Sequence, residues 1–143
     1  MGKKRIVKKG AEGESATEGR TIGRLSRRQL DSGTLYVHAT YNNTKVLLAD
    51  TKGNAVAWSS SGSLGFKGAK KGTPFAAAKV GELIGEKASQ LGMKEARAVV
   101  KGVGSGRESA LRSFSAKGIQ ILRIIDTTPI PFNGPRPPKP RRV

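Results

Sequence analysis

The order of hydrophobic patterns between residues 34 and 126 is the feature that most restricts how this chain can fold. Strand-type apolar runs and helix-type apolar stripes follow one another in the order β-β-β-α-β-α-β. Short turns such as Asn42-Asn43 join the first three runs, which predicts an antiparallel meander. Strands joined through helices run parallel to each other. The pattern therefore predicts an α/β domain with a mixed five-stranded sheet and helices packed on it.

The predicted elements have definite limits in the sequence. Thr73 and Pro74 begin the first helix as N-cap and first helical residue, and Gly92 ends it. The second strand contains a continuous apolar run, residues 46–49, which is typical of a strand covered on both faces. The predicted strands are residues 34–41, 45–50, 55–61, 95–101 and 119–126, and the second helix is residues 107–117.

Three residues of this domain carry predictions about packing. Trp58 lies on the third predicted strand and is interpreted as a core residue, with a base-stacking platform as the alternative. Gly81 and Gly85 lie within the first helix, where each costs about 1 kcal/mol relative to Ala. Close packing of this helix against the sheet would account for both glycines.

The charge of the chain indicates a polyanionic partner. Lys and Arg number 27 against 10 Asp and Glu, which gives a net charge of +17. Residues 1–33 have few apolar positions and are predicted to be a disordered basic arm, and residues 34–126 are the predicted domain. Residues 127–143 contain six of the seven prolines and no acid, which predicts an extended, semi-rigid basic tail.

Composition excludes several classes of function. There is no Cys and only one His, so a disulfide framework, a Cys-based zinc site and a His-rich metal site are excluded. No apolar run approaches the ~18–20 residues that span a bilayer, and the N-terminus lacks the apolar centre of a signal peptide. We therefore expect a cytoplasmic protein with no membrane partner. A two-metal nuclease would need converging carboxylates, for which Asp50 and Asp126 are the acids at predicted strand ends.

Residues 62–73 form the strongest candidate for a binding site. The run GSLGFKGAKKGT combines four glycines with three lysines and leads into a helix N-terminus. Unpaired N–H groups and the helix dipole favour an anion there, and the spacing does not match a nucleotide-binding P-loop. A phosphate of a polynucleotide backbone is the predicted ligand, and a mobile loop without a ligand is the alternative. The predicted contacts are Lys67, Lys70, Lys71, Gly72 and Thr73.

A second glycine-rich turn, KGVGSGRE at residues 101–108, precedes the other helix. Ser105 and Glu108 match the S-x-x-E capping box, which predicts a helix start at this point. Arg107 adds a cation in the first turn, so phosphate contact and helix capping alone are both kept as interpretations. The predicted contacts here are Gly104, Ser105, Gly106, Arg107 and Arg112.

The first turn and the tail complete the set of candidate residues for binding a polynucleotide backbone. The prolines of the tail hold its cations apart, so that each can meet a different phosphate. An Asn-Gly pair offers a turn that sets the direction of the tail. These candidates are Asn42, Asn43, Asn133, Gly134, Arg136, Lys139, Arg141 and Arg142.

Three motifs, in this order, resemble the small-subunit ribosomal protein eleven family, bacterial type. They read YNNTKVLLADTKGNAVAWSSSGSLGFKGAKKGTPFAAAKVGE, VKGVGSGRESALRSF and DTTPIPFNGPRPPKPRRV, and the resemblance covers residues 33–143. Phe132, Pro135 and Val103 stand where bacterial relatives often have His, Cys and Pro, respectively. Pro140 interrupts the usual basic run.

The resemblance implies a ribonuclease-H-like α/β domain without catalysis, cofactor or small-molecule substrate. It implies a structural protein on the platform of the small ribosomal subunit that binds and bridges small-subunit rRNA helices. Such a protein helps form the cleft that holds the ribosome-binding (Shine-Dalgarno) sequence of the mRNA. The implied neighbours are ribosomal proteins seven and eighteen and the mRNA leader, with initiation factor three as a further candidate. A ribonuclease-H-like nuclease and a DNA-compacting protein are the alternatives.

Overall fold

The computed structural model of the protein describes residues 29–140 and 142. Its elements follow the predicted order β-β-β-α-β-α-β, with a short 3-10 helix before the first α-helix. The predicted arm, up to residue 28, and Arg141 lie outside the described residues. The elements are β1 (Ser32–Ala39), β2 (Thr44–Ala49), β3 (Ala55–Ser60), the 3-10 helix (Gly68–Gly72), α1 (Pro74–Gln90), β4 (Glu95–Lys101), α2 (Gly106–Ser115) and β5 (Gln120–Asp126).

The five strands form one mixed sheet with the order β3-β2-β1-β4-β5. β1 pairs antiparallel with β2, and β2 with β3, whereas β1 with β4 and β4 with β5 are parallel pairs. The predicted meander with two crossovers is therefore confirmed. Because β1, β3, β4 and β5 point the same way, the chain leaves all four strands at one end of the sheet. We call this the carboxyl end of the sheet, and it is marked by Ala39, Ser60, Lys101 and Asp126.

The hydrophobic core lies between one face of the sheet and the two helices. Leu35 of β1, Leu48 of β2, Ile84 of α1 and Phe114 of α2 are fully buried in it. Burying a side chain of this size stabilises the fold by roughly 1.5–3 kcal/mol. Neither helix of residues 29–140 is long and apolar enough to cross a membrane.

The two helices pack closely through the glycines of α1. A Cβ atom on Gly81 would lie 2.4 Å from the carbonyl oxygen of Ala110, and a Cβ atom on Gly85 would lie 2.8 Å from Cγ of Lys117. Both glycines therefore face α2, and the prediction that they serve helix-to-sheet packing is wrong. A side chain at Gly81 would meet the backbone of α2 and push the helices apart.

Neither helix covers the second face of the sheet, which we call the open face. Trp58 of β3 is 65% exposed there, and β2 alternates, with Lys45 exposed and Val46 buried. The predictions that the second strand is covered on both faces and that Trp58 belongs to the core are therefore wrong for the described part of the chain. The reason is the direction of the crossovers. Both move the same way across the sheet, so two right-handed connections place both helices on one side.

Candidate nucleic-acid interface

Three loops meet at the carboxyl end of the sheet. They are the β1–β2 turn (residues 40–43), the glycine loop (residues 62–73) and the β4–α2 loop (residues 102–105). Each follows a strand that ends at this side of the sheet, and two of them lead directly into an α-helix. The topology thus brings together segments that are far apart in the sequence.

Two hydrogen bonds join these loops to each other and to the sheet. The N–H of Gly104 donates to the carbonyl oxygen of Ala39 at 2.9 Å. The hydroxyl of Ser105 donates to the carbonyl oxygen of Gly72, also at 2.9 Å. The N-termini of both α-helices therefore lie at the same corner, where both helix dipoles favour an anion.

Backbone contacts at this junction require glycine at two positions. A Cβ atom on Gly72 would lie 2.1 Å from the carbonyl oxygen of Tyr41, and one on Gly104 would lie 2.3 Å from that of Thr40. Both glycines are predicted phosphate contacts, and in the structure they allow the loops to pack on one another. Gly65 differs, because it has a φ of 92° and open space around it.

The glycine loop presents three cations beside the start of α1. Lys67 and Lys70 are exposed and Lys71 is half-buried. None of the three forms an ion pair with another described residue. The predicted N-cap is confirmed, since the Thr73 hydroxyl accepts a hydrogen bond from the N–H of Ala76 at 3.3 Å. It also donates to the carbonyl oxygen of Lys70 at 2.7 Å, which ties the lysines to the helix start.

Hydrogen bonds among serines hold the base of the glycine loop in place. The Ser63 hydroxyl accepts from the N–H of Ser60 at 2.9 Å and donates to the carbonyl oxygen of the same residue at 2.8 Å. The Ser61 hydroxyl is buried, where it accepts from the N–H of Thr44 at 3.2 Å. The loop therefore starts from a fixed position next to the β1–β2 turn.

Ser105 does not cap α2. Its backbone is helical, with φ −68° and ψ −12°, and its hydroxyl bonds to no N–H of the helix because it donates to Gly72. The capping box predicted from Ser105 and Glu108 is therefore wrong. Glu108 instead pairs with Arg112 at 2.7 Å. The first N–H groups of α2 thus receive no side-chain cap from the described residues.

The guanidinium of Arg107 is held within the chain. It pairs with the carboxylate of Asp126 and donates to the carbonyl oxygen of Gly102 and to the hydroxyl of Thr128. The Thr128 hydroxyl and Arg107 hold the pKa of the Asp126 carboxyl well below its usual range. These contacts anchor the start of the tail to the domain. Phosphate contact by Arg107 stays a prediction, and its donors already serve this anchoring role.

The structure brings most, but not all, of the other predicted residues to the junction. Asn42 is exposed and Asn43 is half-buried in the β1–β2 turn. Gly106 is buried, and a Cβ atom there would lie 2.4 Å from the hydroxyl of Thr44. Arg112 lies about 9 Å further along α2 at 1.5 Å per residue, and its partner is Glu108, so it is not part of the junction.

The tail leaves the domain at the same end of the sheet. Its described residues beyond Thr128, 129–140 and 142, belong to no helix or strand and are exposed. Asn133 has a φ of 52°, which agrees with the turn predicted at Asn133-Gly134. The described cations of the tail are Arg136, Lys139 and Arg142.

The carboxylates at strand ends do not converge. Asp50 follows β2, which runs opposite to β1, so it lies at the amino end of the sheet. There its carboxylate accepts from the N–H groups of Lys52 and Asn54. Asp126 lies at the carboxyl end, bound to Arg107. Two carboxylates at opposite ends of the sheet cannot share a metal ion, so the geometry does not favour the nuclease alternative.

A family model described as Ribosomal protein S11 matches residues 33–142. The match covers 110 of the 143 residues, from β1 into the tail. The chain belongs to the ribosomal protein S11 family. It is thus a small-subunit ribosomal protein that binds rRNA and acts in translation, and the resemblance drawn from its three motifs is confirmed. The S11 family is a family of structural ribosomal proteins.

The open face of this S11 protein carries exposed aromatic side chains, of which the sequence singled out only Trp58, with a base-stacking platform as the alternative to a core position. Tyr36 is 41% exposed and Trp58 is 65% exposed. Residues of a strand face alternate sides of the sheet, so Trp58 faces away from its buried neighbours Ala57 and Ser59. The large apolar ring nevertheless favours a core position when the sequence is interpreted residue by residue.

Proposed function

We propose that the carboxyl end of the sheet binds small-subunit rRNA through the phosphate backbone. The hydrogen bond from Ser105 to Gly72 is the observation that carries this proposal, since it unites both helix N-termini beside the lysines of the glycine loop. Folded RNA is recognised largely by shape and by phosphate contacts. A fixed corner of N–H groups and cations suits a phosphate better than it suits a base edge.

The proposed contacts divide between the junction and the tail. Both sets lie at the same end of the sheet, and the anchor formed by Arg107, Asp126 and Thr128 separates them. The junction contacts are Asn42, Asn43, Lys67, Lys70, Lys71, Gly72, Thr73, Gly104, Ser105 and Gly106, and the tail contacts are Asn133, Gly134, Arg136, Lys139, Arg141 and Arg142. Arg107 in the anchor and Arg112 further along α2 are proposed as additional RNA contacts outside these two sets.

The family resemblance supports a more specific role. We propose that the protein sits on the platform of the small subunit, where its domain and tail bridge rRNA helices and help form the cleft for the Shine-Dalgarno sequence. Ribosomal proteins seven and eighteen, the mRNA leader and initiation factor three are the proposed neighbours. The strand order β3-β2-β1-β4-β5 supports a ribonuclease-H-like topology, and the separation of Asp50 from Asp126 supports a role without catalysis.

The test of phosphate binding is the salt dependence of rRNA affinity. Lys67→Gln, Lys70→Gln and Lys71→Gln are combined in one variant, and binding to a small-subunit rRNA fragment is titrated over a range of salt concentrations. We expect weaker binding and a salt slope that is smaller by about 0.7–0.9 for each phosphate that the variant no longer neutralises. The fold should persist, because none of the three lysines is buried.

The matched control removes the same charge from the opposite end of the sheet. Lys52 lies in the β2–β3 turn, Lys87 in the last turn of α1 and Lys94 just before β4. Replacing these three with Gln should leave the salt slope nearly unchanged. Equal slopes for the two triple variants would show that binding depends on net charge alone and would refute the proposed interface.

A further inference from the structure

A shallow groove crosses three strands of the open face. It has a volume of about 340 Å³, and Tyr36, Leu47 and Trp58 form its apolar floor. These residues lie side by side across the sheet, because Tyr36 is paired with Leu47 and Leu47 with Trp58. With strands about 4.8 Å apart, the two aromatic residues are about 10 Å from each other.

The aromatic rings of this groove are not part of the packed interior of the described domain. Both helices bury the other face of the sheet, and Trp58 and Tyr36 contribute to neither the core nor the contact between the helices. Large apolar side chains that are exposed next to one another indicate a surface that binds something. Tyr and Trp rings can also stack on the faces of nucleic acid bases.

The charges around the groove identify its occupant. Lys45 and His38 line it, and Arg97, Lys101 and Arg123 are exposed further along the same face, against the single described acid Glu95. None of these four Lys and Arg residues forms an ion pair with a described residue. The first 28 residues of the chain carry nine Lys and Arg against three Glu, so charge disfavours them as the occupant. A polyanion with exposed bases matches both the positive charge around the groove and its aromatic floor.

We propose that the open face binds single-stranded RNA by stacking two unpaired bases on Trp58 and Tyr36. Leu47 separates the two bases, and Lys45 and Lys101 contact the phosphates between and beside them. Exposed aromatic residues on a sheet hold two or three bases in this way in other RNA-binding domains. This site is distinct from the phosphate interface at the carboxyl end, which is reached through loops and helix N-termini. It therefore extends the proposed function without depending on it.

The sole tryptophan of the chain makes the site directly observable. Trp58 is the one Trp in all 143 residues, so fluorescence excited selectively at the indole ring reports on this groove alone. We expect a short unstructured oligouridylate to quench the indole emission of the full chain in a saturable manner. Trp58→Ala should weaken binding of a labelled oligouridylate about five- to 150-fold, whereas Trp58→Phe should retain most of the affinity because an aromatic ring remains.

Matched variants separate stacking from other effects of the substitution. Phe75, at the start of α1, is 64% exposed and lies off the open face, so Phe75→Ala should leave oligouridylate affinity unchanged. Circular dichroism of Trp58→Ala should match that of the parent, since the ring is exposed. Lys45→Gln should weaken binding more than Lys52→Gln, which removes an exposed lysine from the β2–β3 turn.

Three results would overturn the inference. They are unquenched emission at saturating oligouridylate, equal losses for Trp58→Ala and Phe75→Ala, and a Trp58→Ala variant that changes only self-association in sedimentation. The last result would make the open face a contact between copies of the chain. If oligouridylate does not quench the unsubstituted protein, but the triple lysine variant still shows a smaller salt slope for rRNA binding, only this inference is refuted. If oligouridylate quenches the unsubstituted protein, but the triple lysine variant has the same salt slope for rRNA binding as that protein, only the proposed phosphate interface is refuted.

Discussion

Ser105 and Gly72 are 33 residues apart in the sequence, and one hydrogen bond of 2.9 Å between them joins the starts of both α-helices. A binding corner assembled from separate loops works only if those loops keep a fixed relation to each other. This hydrogen bond supplies that relation, and it uses the hydroxyl that a helix cap would have required. An exposed serine thus contributes the direct link between the two helix starts, beside the backbone contacts of Gly72 and Gly104.

Ser105→Ala should loosen this corner. We expect the free energy of unfolding, measured by urea denaturation, to fall by about 0.5–1.5 kcal/mol because one hydrogen bond is removed. Affinity for the rRNA fragment should fall as well, because the two helix N-termini are no longer held together. Ser115→Ala, at the exposed end of α2, is the control and should change neither quantity. Equal effects of the two substitutions would contradict the linking role of Ser105.

Gly81→Ala should destabilise the protein although Ala favours helices. The added Cβ would lie 2.4 Å from the carbonyl oxygen of Ala110, and that backbone cannot move without shifting α2. We expect the cost of overpacking, about 1–3 kcal/mol, to exceed the gain in helix propensity of about 1 kcal/mol. The measurement is the denaturation midpoint in urea.

The neighbouring glycine provides the comparison for this prediction. A Cβ on Gly85 would first meet the side chain of Lys117 at 2.8 Å, which can move aside. Gly85→Ala should therefore be clearly less destabilising than Gly81→Ala. The opposite ranking would show that the close contact between α1 and α2 does not limit the residue size at Gly81.

Acid should weaken the anchor at the start of the tail. The Thr128 hydroxyl and Arg107 lower the pKa of Asp126, so folding favours the ionised carboxylate. The resulting stabilisation is complete above the unfolded-state pKa of about 3.9, and it is lost as the pH falls from there toward the folded-state pKa. We expect the free energy of unfolding to decline below about pH 4.

Asp126→Asn shows how much of the acid-induced loss in free energy of unfolding is due to protonation of Asp126. The variant lacks the titrating group, so its free energy of unfolding should fall less steeply at acid pH than that of the parent. Asp50 and Glu82, whose pKa values are also lowered, titrate in both proteins and cancel in the comparison. Parallel pH profiles for parent and variant would rule out a stabilising contribution from ionised Asp126.

Deleting residues 134–143 should affect assembly without affecting the stability of the domain. Residues 129–140 are exposed and lie outside every helix and strand, so the melting temperature should barely change. In reconstitution of small subunits, the truncated protein should be depleted from the particles, increasingly so as salt rises. A full-length tail with Arg136, Lys139, Arg141 and Arg142 changed to Gln should behave like the deletion if charge is what binds. Equal incorporation of all three proteins at every salt concentration would mean that the tail does not bind.

The element order was predictable because each strand and helix carries its own periodicity. Thr73 and Pro74 begin α1 where their backbone chemistry predicts, and the five strands pair as a meander and two crossovers. The position of each element depends on interactions within a few residues, which a sequence displays directly. The parallel or antiparallel sense of the pairing then follows from the lengths of the connections, whereas the order β3-β2-β1-β4-β5 does not.

The predictions from sequence that the structure contradicts all concern contacts between different helices, strands and loops. Periodicity shows that Trp58 and Ala57 face opposite ways, but the direction of both crossovers decides which face is covered. The Ser105 hydroxyl donates to the distant Gly72 instead of capping its own helix. Gly81 packs against α2 and not against the sheet. Each outcome depends on which segments become neighbours, and no local pattern contains that information.

The anchor at Thr128 gives the tail a defined reach. Fifteen residues, 129 to 143, can span at most about 45 Å in polyproline geometry at ~3.1 Å per residue, and the segment starts from a point fixed to the domain by Arg107. Once the domain is seated, a phosphate inside that radius meets the cations of the tail as part of the same complex, at an effective concentration on the order of millimolar. A phosphate outside the radius does not meet them at all. Under the proposed function, the tail therefore selects RNA phosphates by their distance from the domain, and the length of the proline-rich segment sets that distance.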